Sequence, residues 1–195
     1  MVAHRDHLTQ LDSAIGDADH GVNMDRGFSA AIASLDAANG ASPGELFRQT
    51  GATLMFRVGG AAGPLYGSGF REAGGALSDA EEFGPGDLVR ALRAGLAAIQ
   101  SLGAAIEGDK TMVDAYAPAV AAFADVVGAG GSVAVAATRA REAAEDGMRS
   151  TIPMQARKGR ASYLGPRSVG HQDPGATSTA LIFRALEAVA ARQDP

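Results

Sequence analysis

The sequence LDSAIGDADHGVN, residues 11–23, places a polar turn between two stretches with helical periodicity. Apolar residues recur at helical spacing before the turn, which predicts a helix from about His4 to Ile15. Gly16 follows, and we expect it to end this helix in a left-handed conformation. The turn therefore joins two helices through a short segment crowded with carboxylates.

Three of these carboxylates are expected to converge. Asp12 falls in the last turn of the predicted helix, while Asp17 and Asp19 lie two residues apart in what should be extended chain, so their side chains point the same way. Carboxylates this close repel one another and favour a bound cation. Since the chain has no Cys, the hard oxygen ligands predict Mg²⁺. The alternative is that Asp17 or Asp19 only caps the next helix. The two glycines, the histidine and the asparagine in the same window favour a site.

The rest of the chain is typical of an all-α protein. Seven more helices are predicted from periodicity and from capping signals, and no stretch has a convincing strand pattern. We therefore predict one all-α domain over residues 1–195. The further helices are expected over about Asn23–Ala38 (ended by Asn39-Gly40), Ser42-Pro43 to Phe56, Pro64 to Leu77, the N-cap Asp87 to Gly103, Asp114 to Val127, Ser132 to Met148, and Asp173-Pro174 to Arg192.

Composition excludes several classes of function. The chain has 195 residues, 46% of them hydrophobic and 20% charged, which is typical of a globular protein. A net charge of −5 without a basic stripe argues against a nucleic-acid partner. The absence of Cys excludes disulfides and zinc–cysteine sites. No apolar run has membrane-spanning length and no signal peptide begins the chain, so we expect a cytoplasmic protein with no membrane partner.

A second unusual stretch is VGGAAGPLYGSGF, residues 58–70. Its glycines lead into a helix, and a helix N-terminus offers free backbone N–H groups to a phosphate. No Gly-Lys-Ser/Thr follows, so it is not a Walker A loop. The same glycines are equally consistent with a turn at which two helices pack closely.

A third stretch, residues 157–176, concentrates positive charge in what we expect to be a long ordered loop. Its Arg157, Lys158, Arg160 and Arg167 could balance phosphates, or form a solvated basic loop. Two neighbouring features have simpler interpretations. Asp109 and Thr111 either cap the sixth helix or contact a ligand, and the charges of the seventh helix are expected to form a solvated face.

Four blocks of the sequence together resemble one family, the nucleotide-binding subunit of dihydroxyacetone kinase. The form they resemble most is the separate, ADP-carrying L subunit of the phosphotransferase-system-dependent enzyme. The resemblance extends from about Leu8 to the final helix. Its four blocks are GDADHGVNMDRGF, VGGAAGPLYGSGF, GDKTMVDAYAP and MQARKGRASYLGPRSVGHQDPGATS.

The resemblance implies an antiparallel, up-and-down barrel of eight helices with nucleotide and magnesium at one end. Asp12, Asp17 and Asp19 would hold a pair of Mg²⁺ ions bridged by diphosphate. Ala61 and Ala62 would cover the phosphates through their backbone, where relatives often have Ser or Thr at one position. The other implied nucleotide contacts are His20, Gly21 and Asn23 of the acidic stretch, Gly103 and Met112 beside the adenine, and Arg160, Asp173 and Pro174.

The resemblance also implies a function that needs partners. Bound ADP would accept phosphate from a phosphohistidine on a phosphotransferase-type subunit and pass it to dihydroxyacetone held on another subunit. No residue of this chain is assigned as a certain catalytic group. Two alternatives are a subunit that exchanges ATP in a related triose or tetrose kinase, and a nucleotide-loaded module that acts on a transcriptional regulator.

Overall fold

A computed structural model describes residues 1–38, 40–77 and 80–192. Within these ranges all regular secondary structure is helical and no strand is present, so the predicted all-α fold is confirmed. No helix in this part of the chain is long and apolar enough to cross a membrane. Short 3-10 segments at Val2–His4 and Arg160–Ser168 accompany eight α-helices: α1 (Arg5–Ile15), α2 (His20–Asp36), α3 (Pro43–Arg57), α4 (Ala62–Leu77), α5 (Pro85–Gly103), α6 (Val113–Gly128), α7 (Val133–Ser150) and α8 (Pro174–Ala190).

Three predicted helix starts, at α3, α7 and α8, are confirmed by their capping residues. Ser42 accepts a hydrogen bond from the backbone N–H of Glu45, whose side chain bonds back to the N–H of Ser42, which completes a capping box at α3. Asp173 likewise caps α8. The predicted N-cap of α5 is wrong, because Gly84 holds that position and Asp87 accepts the N–H of Gly84 from inside the first turn. Asn39, predicted to help end α2, lies outside the described residues.

One compact unit comprises residues 1–9 and 19–104. In it, α2, α3, α4 and α5 pack as neighbours in chain order. Facing glycines bring α3 and α4 close together, since a Cβ on Gly51 would lie 2.5 Å from the carbonyl oxygen of Gly67. At Gly51 and Gly67, glycine is therefore required by the close packing of the two helices.

The buried side of α2 differs from the predicted apolar stripe. The helical spacing of Phe28, Ala31, Ile32 and Leu35 predicts that these residues face the core, but Ile32 is 58% exposed. The residues that α2 buries are Met24, Gly27 and Ala31, with others in its first turn. Gly27 lies so close to Val58 that a Cβ on it would overlap the Val58 side chain, so this buried position requires glycine. Small residues, which carry little hydropathy signal, therefore shift the buried face away from the one that large apolar residues indicate.

The other compact unit comprises residues 10–18 and the chain from Ala105 onward. Here α6, α7 and α8 pack on one another, with Tyr116 and Phe183 in edge-to-face contact at 5.4 Å. The prediction that the charges of α7 form only a solvated face is wrong. Arg141 of α7 lies 2.8 Å from Glu187 of α8, and ion pairs therefore link the two helices. The prediction of one domain over residues 1–195 stays a prediction.

Candidate functional site

The acidic loop, residues 12–19, brings its three aspartates together. Asp12 is buried in the last turn of α1, Asp17 is exposed, and Asp19 is partly exposed. One carboxylate oxygen from each lies within 4.8 Å of the other two. This convergence is the arrangement that the sequence predicts, and its donor set of three carboxylates suits a hard divalent cation.

The backbone reaches this arrangement by a different route from the predicted one. The segment is not extended, because Ala18 is left-handed (φ 61°) and Asp19 is helical (φ −113°, ψ −12°). Gly16 is not left-handed, so that prediction is wrong as well. Gly16 is needed for space instead, since a Cβ there would overlap the carboxylate of Asp12. Its N–H donates to the carbonyl of Asp12 at 2.6 Å.

The capping alternative for Asp19 is not supported by its geometry. Asp19 occupies the N-cap position of α2, but its side chain makes no capping hydrogen bond. Because α2 begins at His20 rather than near Asn23, three predicted nucleotide contacts lie in its first turn and not in a loop. Gly21 among them has a packing role, since a Cβ there would overlap the carbonyl of Arg5.

Asn23 and the glycine stretch meet in the same unit. A Cβ on Gly59 would lie 2.8 Å from the side-chain amide of Asn23, and Asn23 accepts a hydrogen bond from Arg26 at 2.7 Å. Arg26 also donates to the carbonyl of Arg57 at 2.7 Å. Asn23 and Arg26 therefore hold the turn that leads into α4, where Ala62 is the first helical residue. Arg26 has no place among the predicted site residues.

The basic segment is anchored beside the acidic loop. Instead of a continuous loop it contains a 3-10 segment, Arg160–Ser168, kinked at Gly165. Ile15 at the end of α1 forms a small apolar cluster with Ala156 and Ala161. Arg160 then lies 2.9 Å from the carboxylate of Asp17, so one of the predicted nucleotide contacts pairs directly with one of the predicted metal ligands.

Met112, predicted to lie beside the adenine, and Asp173 and Pro174, predicted to complete the nucleotide pocket, are close together in this unit. Met112 is buried just before α6, and a Cβ on Gly175 would make ordinary contact with Met112 at 3.5 Å. Asp173, with Pro174 beside it, begins α8, and burial raises the pKa of Asp173 to about 7. Gly103, the other residue predicted beside the adenine, ends α5 in the other unit.

Of the two residues expected to cap α6 or to contact a ligand, Asp109 bonds within the loop before the helix, and Thr111 bonds to its first residue, while the N-cap Met112 has no side-chain capping bond. Asp109 accepts a hydrogen bond from the N–H of Ile106 at 3.0 Å, and the hydroxyl of Thr111 accepts from the N–H of Val113 at 3.1 Å. Between them, Lys110 is 1% exposed and has no counterpart among the predicted site residues. With Asp114 and Asp173 it forms a buried group of charges that we call the Lys110 cluster.

Comparison with known proteins gives consistent results. Residues 14–188 match the model of the DAK2 domain. The chain is 46% identical to the ADP-binding subunit DhaL of the PEP-dependent dihydroxyacetone kinase of Escherichia coli, over 96% of this chain and 89% of that protein. It is 39% identical to the corresponding subunit of kinase 1 of Listeria innocua, over 92% and 84% of the two chains.

A solved structure is similar as well. The crystal structure of the dihydroxyacetone kinase from C. freundii in complex with AMP-PNP and Mg²⁺ superposes with a TM-score of 0.69 at 30% identity. The match covers 96% of this chain but 31% of that one. This chain therefore corresponds to about a third of that kinase.

Proposed function

Because the chain belongs to the DAK2 domain family, we propose that it is the nucleotide-binding subunit of a dihydroxyacetone kinase. In this proposal it holds ADP with Mg²⁺ and relays a phosphoryl group between two partner subunits. The family resemblance inferred from the four sequence blocks is confirmed by the 46% identity to a subunit of that kind over nearly the whole chain. The observation that carries the proposal is the convergence of Asp12, Asp17 and Asp19.

The ligand atoms of the acidic loop are of the type that binds a divalent cation. Its three carboxylates supply oxygen ligands only, which is the donor type of Mg²⁺, and Gly16 keeps a Cβ out of the space that the Asp12 carboxylate occupies. Since Asp17 is exposed, an ion held here could also take phosphate oxygens. When bound, magnesium would neutralise the charge that develops on phosphate oxygens during transfer.

Other residues of the chain would bind and orient the phosphates. His20 and Gly21 begin α2, and Ala62 begins α4 directly after Ala61; the first N–H groups of a helix point toward its N-terminus, where an anion can bind. Arg160 is 66% exposed and pairs with Asp17. A guanidinium in that place can also donate to a phosphate oxygen. Asn23, through its contact with Gly59, would keep the turn before α4 in place.

The transfer itself would depend on partners. Phosphoryl transfer needs positioning and charge neutralisation more than a protein nucleophile, and we assign no catalytic nucleophile to this chain. We propose that a phosphohistidine subunit donates the phosphate and that a separate subunit holds dihydroxyacetone. The isolated chain should then bind nucleotide without phosphorylating the sugar.

The proposal is tested by native mass spectrometry of the purified protein, followed by reconstitution. We expect a species carrying ADP and magnesium, and activity only when both partner subunits are added. A protein that binds no nucleotide in the presence of Mg²⁺ would refute the proposal.

A second candidate is a subunit that exchanges ATP in a related sugar kinase. It is favoured by the similarity to a solved kinase described as a complex with AMP-PNP and Mg²⁺. Gel filtration separates the two candidates. A relay subunit should retain ADP when excess ATP is present, whereas an exchanging subunit should leave the column with ATP.

A further inference from the structure

Lys110 is a cation that the protein buries almost completely. It is 1% exposed and has a left-handed backbone (φ 62°), which is uncommon for a residue with a Cβ. Its ammonium donates a hydrogen bond to the carbonyl of Thr151 at 2.5 Å and another to the carbonyl of His171. One side chain therefore joins the segment before α6, the end of α7 and the segment before α8.

The two carboxylates of the Lys110 cluster are bound to the same segments. Asp114 accepts hydrogen bonds from the N–H groups of Gly108 at 2.5 Å and Thr111 at 2.7 Å. Asp173 accepts from the N–H of Ala176 at 2.7 Å. Burial lowers the pKa of Lys110, and the charges of Asp173 and Asp114 oppose that shift. A buried ammonium is tolerated only when it is paired and hydrogen-bonded in this way.

The joined segments carry Met112, which is predicted to lie beside the adenine, and Asp173 and Pro174, which are predicted to complete the nucleotide pocket. Met112 lies two positions after Lys110, and Asp173 lies two positions after His171. The N–H of Asp173 also donates to the hydroxyl of Thr151 at 3.0 Å. Because a Cβ on Gly175 would already lie 3.5 Å from Met112, a small shift of either segment would change the space between Met112 and the start of α8.

We propose that Lys110 is a positioning residue for the base of the nucleotide. Its ammonium fixes the spacing between Met112 and the Asp173–Pro174 start of α8, and it does so without contacting the ligand. The inference rests on the proposed function, because it requires that the chain binds a nucleotide. It adds that recognition of the base depends on a buried lysine in the second unit, separately from the acidic loop.

The test compares two ligands that share the diphosphate and differ in the base. Affinities for ADP and for inorganic pyrophosphate, both with Mg²⁺, are measured by calorimetry on the full chain and on Lys110→Met. We expect the variant to bind ADP about tenfold more weakly, because Met112 and the start of α8 would no longer be held at the spacing that fits the base. The affinity for pyrophosphate should change by less than about twofold. Arg139→Met, on an exposed cation of α7, is the matched control and should change neither affinity.

The ratio of the ADP affinity to the pyrophosphate affinity distinguishes a role of Lys110 in positioning the base from a role in the overall stability of the fold. An equal loss for ADP and pyrophosphate, or no loss for either, would overturn the role of Lys110 while leaving nucleotide binding intact. Failure of the unmodified chain to bind either ligand would overturn both the inference and the proposed function.

A milder variant provides the same test if Lys110→Met does not fold. Lys110→Gln keeps hydrogen-bond donors at the end of a shorter side chain but removes the charge, so it should hold the carbonyls of Thr151 and His171 less firmly. We expect a selective loss of ADP affinity in the same direction and smaller than that of Lys110→Met. Unchanged selectivity in folded Lys110→Gln would contradict the proposal.

Discussion

The acidic loop and the Lys110 cluster are two groups of charged residues that differ in charge balance and in burial. The acidic loop brings three carboxylates within 4.8 Å of one another, and Arg160 pairs with one of them at the protein surface. The Lys110 cluster places one ammonium among two carboxylates in the interior, where backbone groups satisfy each member. The first arrangement favours an added cation, whereas the second already contains its own.

This difference predicts how each region responds to change. Charges at the surface can be altered at little cost to the fold, so their loss should appear in ligand binding. Charges in the interior are part of the packing, so their loss or titration should appear in stability, in addition to any binding that depends on that packing. Variants of the two regions should therefore differ in what they change, and their expected effects decrease in the order given below.

The largest effect is expected from Asp17→Asn and Asp19→Asn. Each removes a charge and an oxygen ligand from the acidic loop, and magnesium-dependent ADP affinity should fall about 100-fold or more, beyond the roughly 10–100-fold typical of outer-shell changes. Calorimetry in Mg²⁺ measures the loss. Asp6→Asn, on a carboxylate that is 90% exposed in α1, is the control. Normal affinity in both variants would refute the metal assignment.

The second effect concerns the interior and depends on pH. The pKa of Asp173 rises from its ordinary value of 3.8 to about 7 in the folded chain because the group is buried. Between about pH 4 and 7 the folded state therefore holds a proton that the unfolded state releases. This contribution to stability is complete below the lower value and is lost as pH rises through that window, by up to about 1.4 kcal/mol per pH unit.

Asp173→Asn isolates this contribution. The amide oxygen can still accept the N–H of Ala176, but it does not titrate. The free energy of unfolding of the native chain, minus that of the variant, should fall from pH 4 to 7 and be constant above it. Urea titrations at several pH values measure the difference. Parallel stability curves over this range would show that Asp173 titrates alike in the folded and unfolded chain.

A third effect is expected from Gly16→Ala. The new Cβ would overlap the Asp12 carboxylate, so either that carboxylate or the turn must shift, and magnesium-dependent ADP affinity should fall about tenfold, equivalent to about 1.4 kcal/mol. Gly75→Ala is the matched control, because a Cβ there meets nothing within 4 Å. If both variants bind alike, the position of Asp12 does not matter for binding.

The smallest effect on stability is expected from Arg160→Ala. Its ion pair with Asp17 is at the surface, with the arginine 66% exposed, and such pairs contribute less than about 1 kcal/mol. We expect nucleotide affinity to fall several-fold while the melting temperature of the nucleotide-free protein hardly changes. A large drop in that temperature would mean that Arg160 has a structural role.

The sequence is informative where one local signal dominates. Capping residues such as Ser42 and Asp173 mark helix starts because their side chains bond to nearby backbone N–H groups. The crowding of Asp12, Asp17 and Asp19 predicts convergence because so few residues separate them. The predicted reason was wrong, since alternation along an extended chain does not occur. A left-handed Ala18 and an early start of α2 produce the convergence instead.

The sequence does not predict contacts between residues that lie far apart in the chain. Nothing near Lys110 indicates that its ammonium reaches carbonyls 41 and 61 residues further along the chain. The charges of α7 suggest solvent because their partners, such as Glu187, lie on another helix. Gly16 shows the same limit at short range, because its role depends on where the Asp12 side chain lies and not on the backbone angle that glycine usually supplies.

The central claim is that Asp12, Asp17 and Asp19 hold a divalent cation that binds the diphosphate. The most direct measurement is anomalous diffraction from crystals of the full chain grown with ADP and Mn²⁺, which takes the same oxygen ligands as Mg²⁺. We predict a manganese peak coordinated by these carboxylates and by phosphate oxygens of ADP. Well-ordered ADP with the manganese peak elsewhere, or with no peak, would contradict the account.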